Sequence, residues 1–220
     1  MAWTTPGTAT AGEVLTAAFW NTNVRDNSIM GGPVYTNEAA RDAAITAPSE
    51  GMQCYLTSPT IPAATGGVTA VPSAGVQTIY NGSVWVCVTP VSAYTSNTGT
   101  TNATSYSASL SGSPGTNPSV TLVTGTTAMI THSMVGSQTG VGHLAYQSVA
   151  ISGAGTVAAS ADWESWMFNA TAGLQNANGI TQVITGLTAG TNTFTLQYKS
   201  SGAAQTASIL NRRLLVIGVV

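Results

Sequence analysis

Few side chains in this 220-residue chain can move a proton or grip a metal. His132 and His143 are its only histidines, and beyond residue 119 Asp162 and Glu164 are its only carboxylates. Neither set has metal-ligand spacing, and no Gly-x-Ser-x-Gly nucleophile elbow occurs. A glycoside hydrolase needs two carboxylates facing each other across a cleft. Asp162 and Glu164 stand two apart, so on one strand they would point the same way. The expectation is no catalytic residue, no metal and no cofactor, and hence not an enzyme. Trp163 and Trp166, with the carboxamides of Asn169 and Gln175 close in sequence, are better suited to stacking on a sugar or on a protein partner. The competing role for both indoles is core.

Cys54 and Cys87 are too few and too far apart for a zinc motif. They fall in two strands of one small module, as cross-strand neighbours or, as synthesis in a cytoplasm favours, as buried free thiols. Five basic and seven acidic side chains leave the surface to Thr, Ser, Asn, Gln and Gly, whereas about a quarter of residues are charged in an ordinary soluble protein. Without a basic patch for phosphate, nucleic acid is excluded as a partner. No apolar run reaches membrane-spanning length, so membrane insertion is not expected. The opening Met1-Ala2-Trp3-Thr4-Thr5-Pro6 has neither the basic nor the apolar stretch of a signal peptide, which predicts synthesis and solubility in a cytoplasm.

These residues must be positioned by β-structure. Residues 193–199 alternate strictly, with Phe194, Leu196 and Tyr198 on one face and Thr193, Thr195, Gln197 and Lys199 on the other. A polar loop, 200–205, leads to a last strand in which 214–220 has no polar side chain. Such a strand is covered on both faces, either as the seam of an oligomer or as the central strand of a monomeric sandwich. With further strands predicted over 119–123, 128–134, 142–151, 162–168 and 180–184, the pattern is that of a sandwich or jelly roll. Arg212 and Arg213 would pair across the seam with Asp162 or Glu164, or stay solvated.

Upstream, the Thr, Ser, Asn and Gly of 93–118 have little to bury and predict a linker or a loosely paired stretch. Residues 34–92 read as a small α+β module. It has a helix over 37–45, strands at 52–57 and 76–80, and a two-residue Asn81-Gly82 turn of type I′ into a strand at 84–88. Residues 1–33 read as an attachment segment with one short helix, closed by Gly31-Gly32-Pro33. Its apolar face would pack on another subunit, on a particle, or on its own β-domain.

Two stretches resemble known families. Trp3-Thr4-Thr5-Pro6, then Ala11-Gly12-Glu13-Val14-Leu15-Thr16-Ala17-Ala18 and Asn21, Val24, Arg25, Asp26 and Asn27, look like the N-terminal segment of many tailed-bacteriophage structural proteins. That resemblance implies attachment to a particle through Trp3, Leu15, Phe19 and Trp20. Ala40-Arg41-Asp42-Ala43-Ala44, Ala47-Pro48, Glu50-Gly51-Met52 and Ile79-Tyr80-Asn81-Gly82-Ser83-Val84-Trp85 are similar to a spacer module repeated across phage tail fibres, with Trp85 as a core anchor. Residues 186–198 with 212–217 are similar to the late strands of trimeric heads of the complement and tumour-necrosis-factor type. In those heads the last strand lies near the threefold axis, which implies a trimer interface at Leu214, Leu215, Val216, Ile217 and Val219.

The expected whole is mainly β, with an attachment segment (1–33), a spacer module (34–92), a linker (93–118) and an antiparallel jelly-roll domain (119–220). The function that follows is a structural component of a tailed-phage virion: a homotrimeric fibre, spike or capsid decoration. It would be made in the host bacterial cytoplasm, exposed on the particle, and partnered by itself and by other virion proteins. The alternative is a lectin-like knob that recognises host surface glycans through Trp163 and Trp166.

Overall fold

The computed structural model describes residues 32–220. The expected N-terminal helix, with Trp3, Leu15, Phe19 and Trp20, lies outside the described residues. In chain order the first elements are β1 (Val34–Tyr35), α1 (Glu38–Ala44), β2 (Gln53–Leu56), β3 (Ala63–Thr65), β4 (Val68–Ala70), β5 (Val76–Tyr80) and β6 (Trp85–Cys87). There follow β7 (Val91–Thr95), β8 (Gly99–Thr101), β9 (Ser111–Gly112), β10 (Ser119–Thr124), β11 (Thr127–Gln138) and β12 (Leu144–Gly153). A 3-10 turn (Ala161–Trp163) then precedes β13 (Ser165–Phe168), β14 (Asn176–Thr185), β15 (Gly190–Ser200) and β16 (Ala207–Val219).

The chain is mainly β. A four-stranded sheet, β1-β2-β5-β6, carries α1. A helix of seven residues is marginal alone. Here the Asn37 carboxamide caps it by accepting from the Ala40 amide at 3.0 Å, and Arg41 lays its guanidinium 4.8 Å over the Trp85 ring. The turn between β5 and β6 corrects the type I′ expectation. Tyr80 pairs with Trp85, which leaves four residues in the loop. Asn81 Oδ1 accepts from the amides of Ser83 and Val84 at 3.1 and 2.9 Å. That side-chain turn replaces the backbone conformation the dipeptide suggested, and only Gly82 of the loop has a positive φ.

The remaining strands form two antiparallel sheets, a five-stranded one in the order β13-β12-β15-β10-β3 and a seven-stranded one with the path β14-β11-β16-β7-β4, to which β8 adds beside β16 and β9 beside β8. Their inner faces meet in one core that includes Val120, Leu122, Ile130, Val149, Phe194, Leu196 and Val216, each contributing about 1.5–3 kcal/mol by burial. The chain passes back and forth between the sheets from β10 to β16, an arrangement compatible with a jelly-roll sandwich. The alternation read over 193–199 is present: Phe194, Leu196 and Tyr198 are buried and the residues between them are not.

The structure differs from the expected boundaries in two places. The linker expected over 93–118 carries β8, β9 and most of β7, hydrogen-bonded into the sheet of β16. Of the two readings, the paired one holds, because these strands pair through backbone and need little side chain to bury. At Gly99 a Cβ would meet Leu110 at 2.7 Å. The loop of the small module, moreover, contributes two short strands to the sandwich. β3 pairs with β10 in one sheet, while β4 pairs with β7 in the other. The short link between them can cross from one sheet to the other because Gly66 passes the Tyr94 backbone so closely that a Cβ would lie 3.0 Å from its carbonyl oxygen.

Candidate ligand face on the five-stranded sheet

The two sheets present different outer faces. On the five-stranded sheet β13 is the edge, and its period of two turns Trp166 and Phe168 outward while Ser165 and Met167 face in. Trp166 is 50% exposed and Phe168 49%. The register sets Tyr146 opposite Trp166 and Leu144 opposite Phe168, so four apolar side chains of two strands tile one surface. Tyr146 in turn stands opposite Lys199 of β15. With Glu164, the four tiles line a cavity of about 470 Å³.

Along one side of the tile runs a polar group that is complete in itself. Lys199 Nζ lies 3.2 Å from Glu164 Oε2 and sits over the rings of Tyr106 and Tyr146, at 4.3 and 4.4 Å. The Tyr106 hydroxyl donates to the same Glu164 oxygen. Burial, and then this bond to Glu164, push the Tyr106 phenol well above the ordinary tyrosine range, and burial with the Glu164 charge raises Tyr146 as well. Both phenols are neutral donors at physiological pH.

Two main-chain carbonyls of the edge are also occupied. Asn178 Nδ2 donates to the Trp166 carbonyl at 2.6 Å and Asn176 Nδ2 to the Phe168 carbonyl at 3.2 Å. Side chains of β14 thus bridge from the opposite sheet and hold β13 in place.

The structure separates the residues that the sequence grouped. Trp163 belongs to the packing, its indole N–H donating to the Val149 carbonyl at 3.0 Å, so of the two indoles only Trp166 is presented. Asn169 is fully buried and donates to the Gln138 carbonyl, while Gln175 is exposed on the loop before β14. His132 is buried between the sheets, its Nε2–H donating to the Trp163 carbonyl at 3.0 Å and its Nδ1 accepting from Gln147 Nε2 at 3.1 Å. Burial holds its imidazole below the ordinary value. His143 lies apart, with Nδ1 3.1 Å from the Ser201 hydroxyl. Asp162 sits in the 3-10 turn and accepts from the Ser160 hydroxyl at 2.8 Å. Among the described residues no three His, Cys, Asp or Glu side chains gather as a metal site.

Cys54 and Cys87 are buried and free. Both are opposite Thr78 of the intervening strand β5, so they stand two strand spacings apart, roughly 10 Å, beyond disulfide reach. They are not direct cross-strand neighbours. Cys54 Sγ shares a 3.0 Å contact with the Thr78 hydroxyl.

On the seven-stranded sheet, β16 divides its apolar residues between two faces. Leu214 and Val216 are core, at 1% and 0% exposure, which corrects their assignment to a subunit interface. Leu215, Ile217 and Val219 turn outward. Ile217 has Met129 as its partner on β11, which has Val183 of β14 beyond it, and Val183 and Val219 are 58% and 37% exposed. Arg213 is exposed on this face and stacks 4.2 Å over Tyr94. Arg212 instead points inward and is fully buried. A bulge opposite Met134 inserts one extra residue, with Asn211 at φ 49°. Its guanidinium donates to the Pro114 carbonyl, and at 3.4–3.5 Å to Asn117 Oδ1, the Tyr198 hydroxyl and the Asn97 carbonyl. Neither arginine pairs with Asp162 or Glu164.

The fold and its surfaces define a two-sheet β-sandwich joined to a small α+β unit, with an aromatic outer face on one sheet and an aliphatic outer face on the other. No family model matches the sequence, and no curated protein matches it. Among solved structures, the chain is similar to Eiger TNF from S. frugiperda at 7% identity and a TM-score of 0.40, over 59% of this chain and 92% of that one. It is similar to infectious bursal disease virus, Gx strain, at 15% identity and a TM-score of 0.36, over 64% of this chain and 41% of that one. It is also similar to TmCBM61 in complex with beta-1,4-galactotriose, at 11% identity and a TM-score of 0.27, over 57% of this chain and 68% of that one.

Proposed function

We propose that the protein is a structural component of a tailed-phage virion, a homotrimeric fibre, spike or capsid decoration. It is attached through its N-terminal segment, displays its C-terminal sandwich, and has no enzymatic activity. The observation that carries this reading is the outward half of the last strand. Leu215, Ile217 and Val219, with Met129 and Val183 beside them, form an aliphatic strip on the outer face of the seven-stranded sheet, in a chain with only twelve charged side chains. A second copy covers such a strip without new chemistry. The phage assignment is supported by the resemblance of residues 3–27 and 40–85 to virion segments. In the second of these, Arg41 and Trp85 stack on each other inside the small unit, as an anchor of a spacer would.

The test is native mass spectrometry with analytical ultracentrifugation of the purified chain. Three copies are expected, falling to one in the Ile217→Asp variant. A wild-type chain that stays monomeric at micromolar concentration overturns the reading. A second reading, a lectin-like knob for host surface glycans, is favoured by the exposed Trp166 and Phe168, and a glycan array tests it.

A further inference from the structure

We infer that the tile of Trp166, Phe168, Tyr146 and Leu144 is a binding site for an uncharged saccharide chain, with Glu164 as its hydroxyl acceptor. This rests on the second reading above and names the ligand class. Three features of the site select that class.

The first is electrostatic. The charges at the tile are Glu164 and Lys199, and they neutralise each other at 3.2 Å. Lys199 is further engaged by two aromatic rings. An acidic sugar, a phosphate or a sulfate finds no free cation here, and a cationic peptide finds a carboxylate whose charge Lys199 already matches. A charged ligand would have to break the pair and lose its own hydration in return for little. The second feature is an edge strand whose Trp166 and Phe168 carbonyls are occupied. Strand addition needs free main-chain groups, and the Trp166 and Phe168 carbonyls are already taken by Asn178 and Asn176. Recognition is left to side chains, on a strand held rigid before any ligand arrives.

The third is the mixture of surfaces. A sugar ring offers C–H faces to aromatic rings and hydroxyls to acceptors. Both recorded partners of Glu164 use Oε2, so Oε1 is left to accept a hydroxyl at the wall of the cavity. Successive outward residues of β13 stand roughly 7 Å apart, so Trp166 and Phe168 offer neighbouring platforms along one strand. The cavity, about 470 Å³, is within the usual range for small-ligand sites of roughly 300–1,000 Å³. A protein partner would cover about 800 Å², beyond four side chains into a surround of small polar residues.

Affinity electrophoresis of the full chain tests this, in gels containing neutral polysaccharides (dextran, galactan, mannan) or acidic ones (polygalacturonate, chondroitin sulfate). Each gel is run at low and at high salt. At least one neutral polysaccharide is expected to retard the protein equally at both salts, since no ion pair forms with the ligand. Trp166→Ala and Phe168→Ala should each weaken that retention about tenfold, the loss of one aromatic contact. Val68→Ser, an exposed change on β4 of the other sheet, should leave it unaltered. Both aromatic side chains are half exposed, so melting curves of the two variants should match the parent. Retention only by acidic polysaccharides, abolished by salt and by Trp166→Ala, overturns the neutral class and keeps the glycan reading. Retention by none of them overturns both. Retention that survives Trp166→Ala and Phe168→Ala overturns the site.

Discussion

Arg212 is a guanidinium in the middle of a sandwich with no carboxylate beside it, and its replacement separates two opposing effects. Arg212→Ala removes the charge-assisted bond to the Pro114 carbonyl, about 1.5–3 kcal/mol. It also deletes two buried methylenes of the stem, at about 0.8 kcal/mol each. The three contacts at 3.4–3.5 Å add little at that length. The loss is therefore about 3–5 kcal/mol, or between about 6 and 20 °C in melting temperature for a chain of this size. Arg212→Met keeps the stem and drops the charge, so it should cost about 1.5–3 kcal/mol. Relief from burying the cation works the other way. Differential scanning calorimetry of both variants gives the balance. Hydrogen exchange should show the amides of Ser107 and Ser200, which hold the 97–118 stretch to β15, opening first. An Arg212→Met protein that melts at or above the parent would refute the reasoning, because desolvation would then outweigh the carbonyl clamp.

Two further outcomes are expected. His132 is neutral in the fold and its proton affinity is lowered by burial, so below its ordinary value of about 6.5 the unfolded chain binds a proton that the folded chain refuses. Stability from this group is complete above that pH and declines as pH falls through the window beneath it; a His132→Gln variant should lack this limb in melting curves taken from pH 8 to pH 5, and a parent curve flat across that range would contradict the assignment. Burial pushes the Cys87 thiol up to about 11 and raises Cys54 too, so neither should react with a thiol reagent in the native protein, while both should do so in denaturant. Intact mass after oxidation should show no disulfide within one chain.

The strands legible in the sequence are those whose side chains alternate across a core. Phe194, Leu196 and Tyr198 are the plainest, and β14 is the opposite case. Its first half, Asn176-Ala177-Asn178-Gly179, has nothing to bury and lay outside the strand expected at 180–184. It is nevertheless part of the strand, because β11 supplies the backbone partners and the two asparagines reach across to β13. The side on which Arg212 falls was equally hidden, since a bulge at Asn211 shifts the alternation by one and nothing local announces it. At the ligand face Trp166 could be singled out by type alone. The period of two adds Phe168 to the same face and groups Leu144 with Tyr146, but the pairing of β12 with β13 that brings the two couples together is a tertiary fact. Trp163 takes the core role that competed for both indoles, because its indole reaches back to a carbonyl 14 residues away in sequence.

The strands β3 and β4 tie the two units at a second place besides the chain's passage into β7. Between them they are zipped to both walls of the sandwich, β3 to β10 and β4 to β7. The small unit therefore cannot come away whole while either wall keeps its edge strand: parting the two units strips β3 from one sheet and β4 from the other.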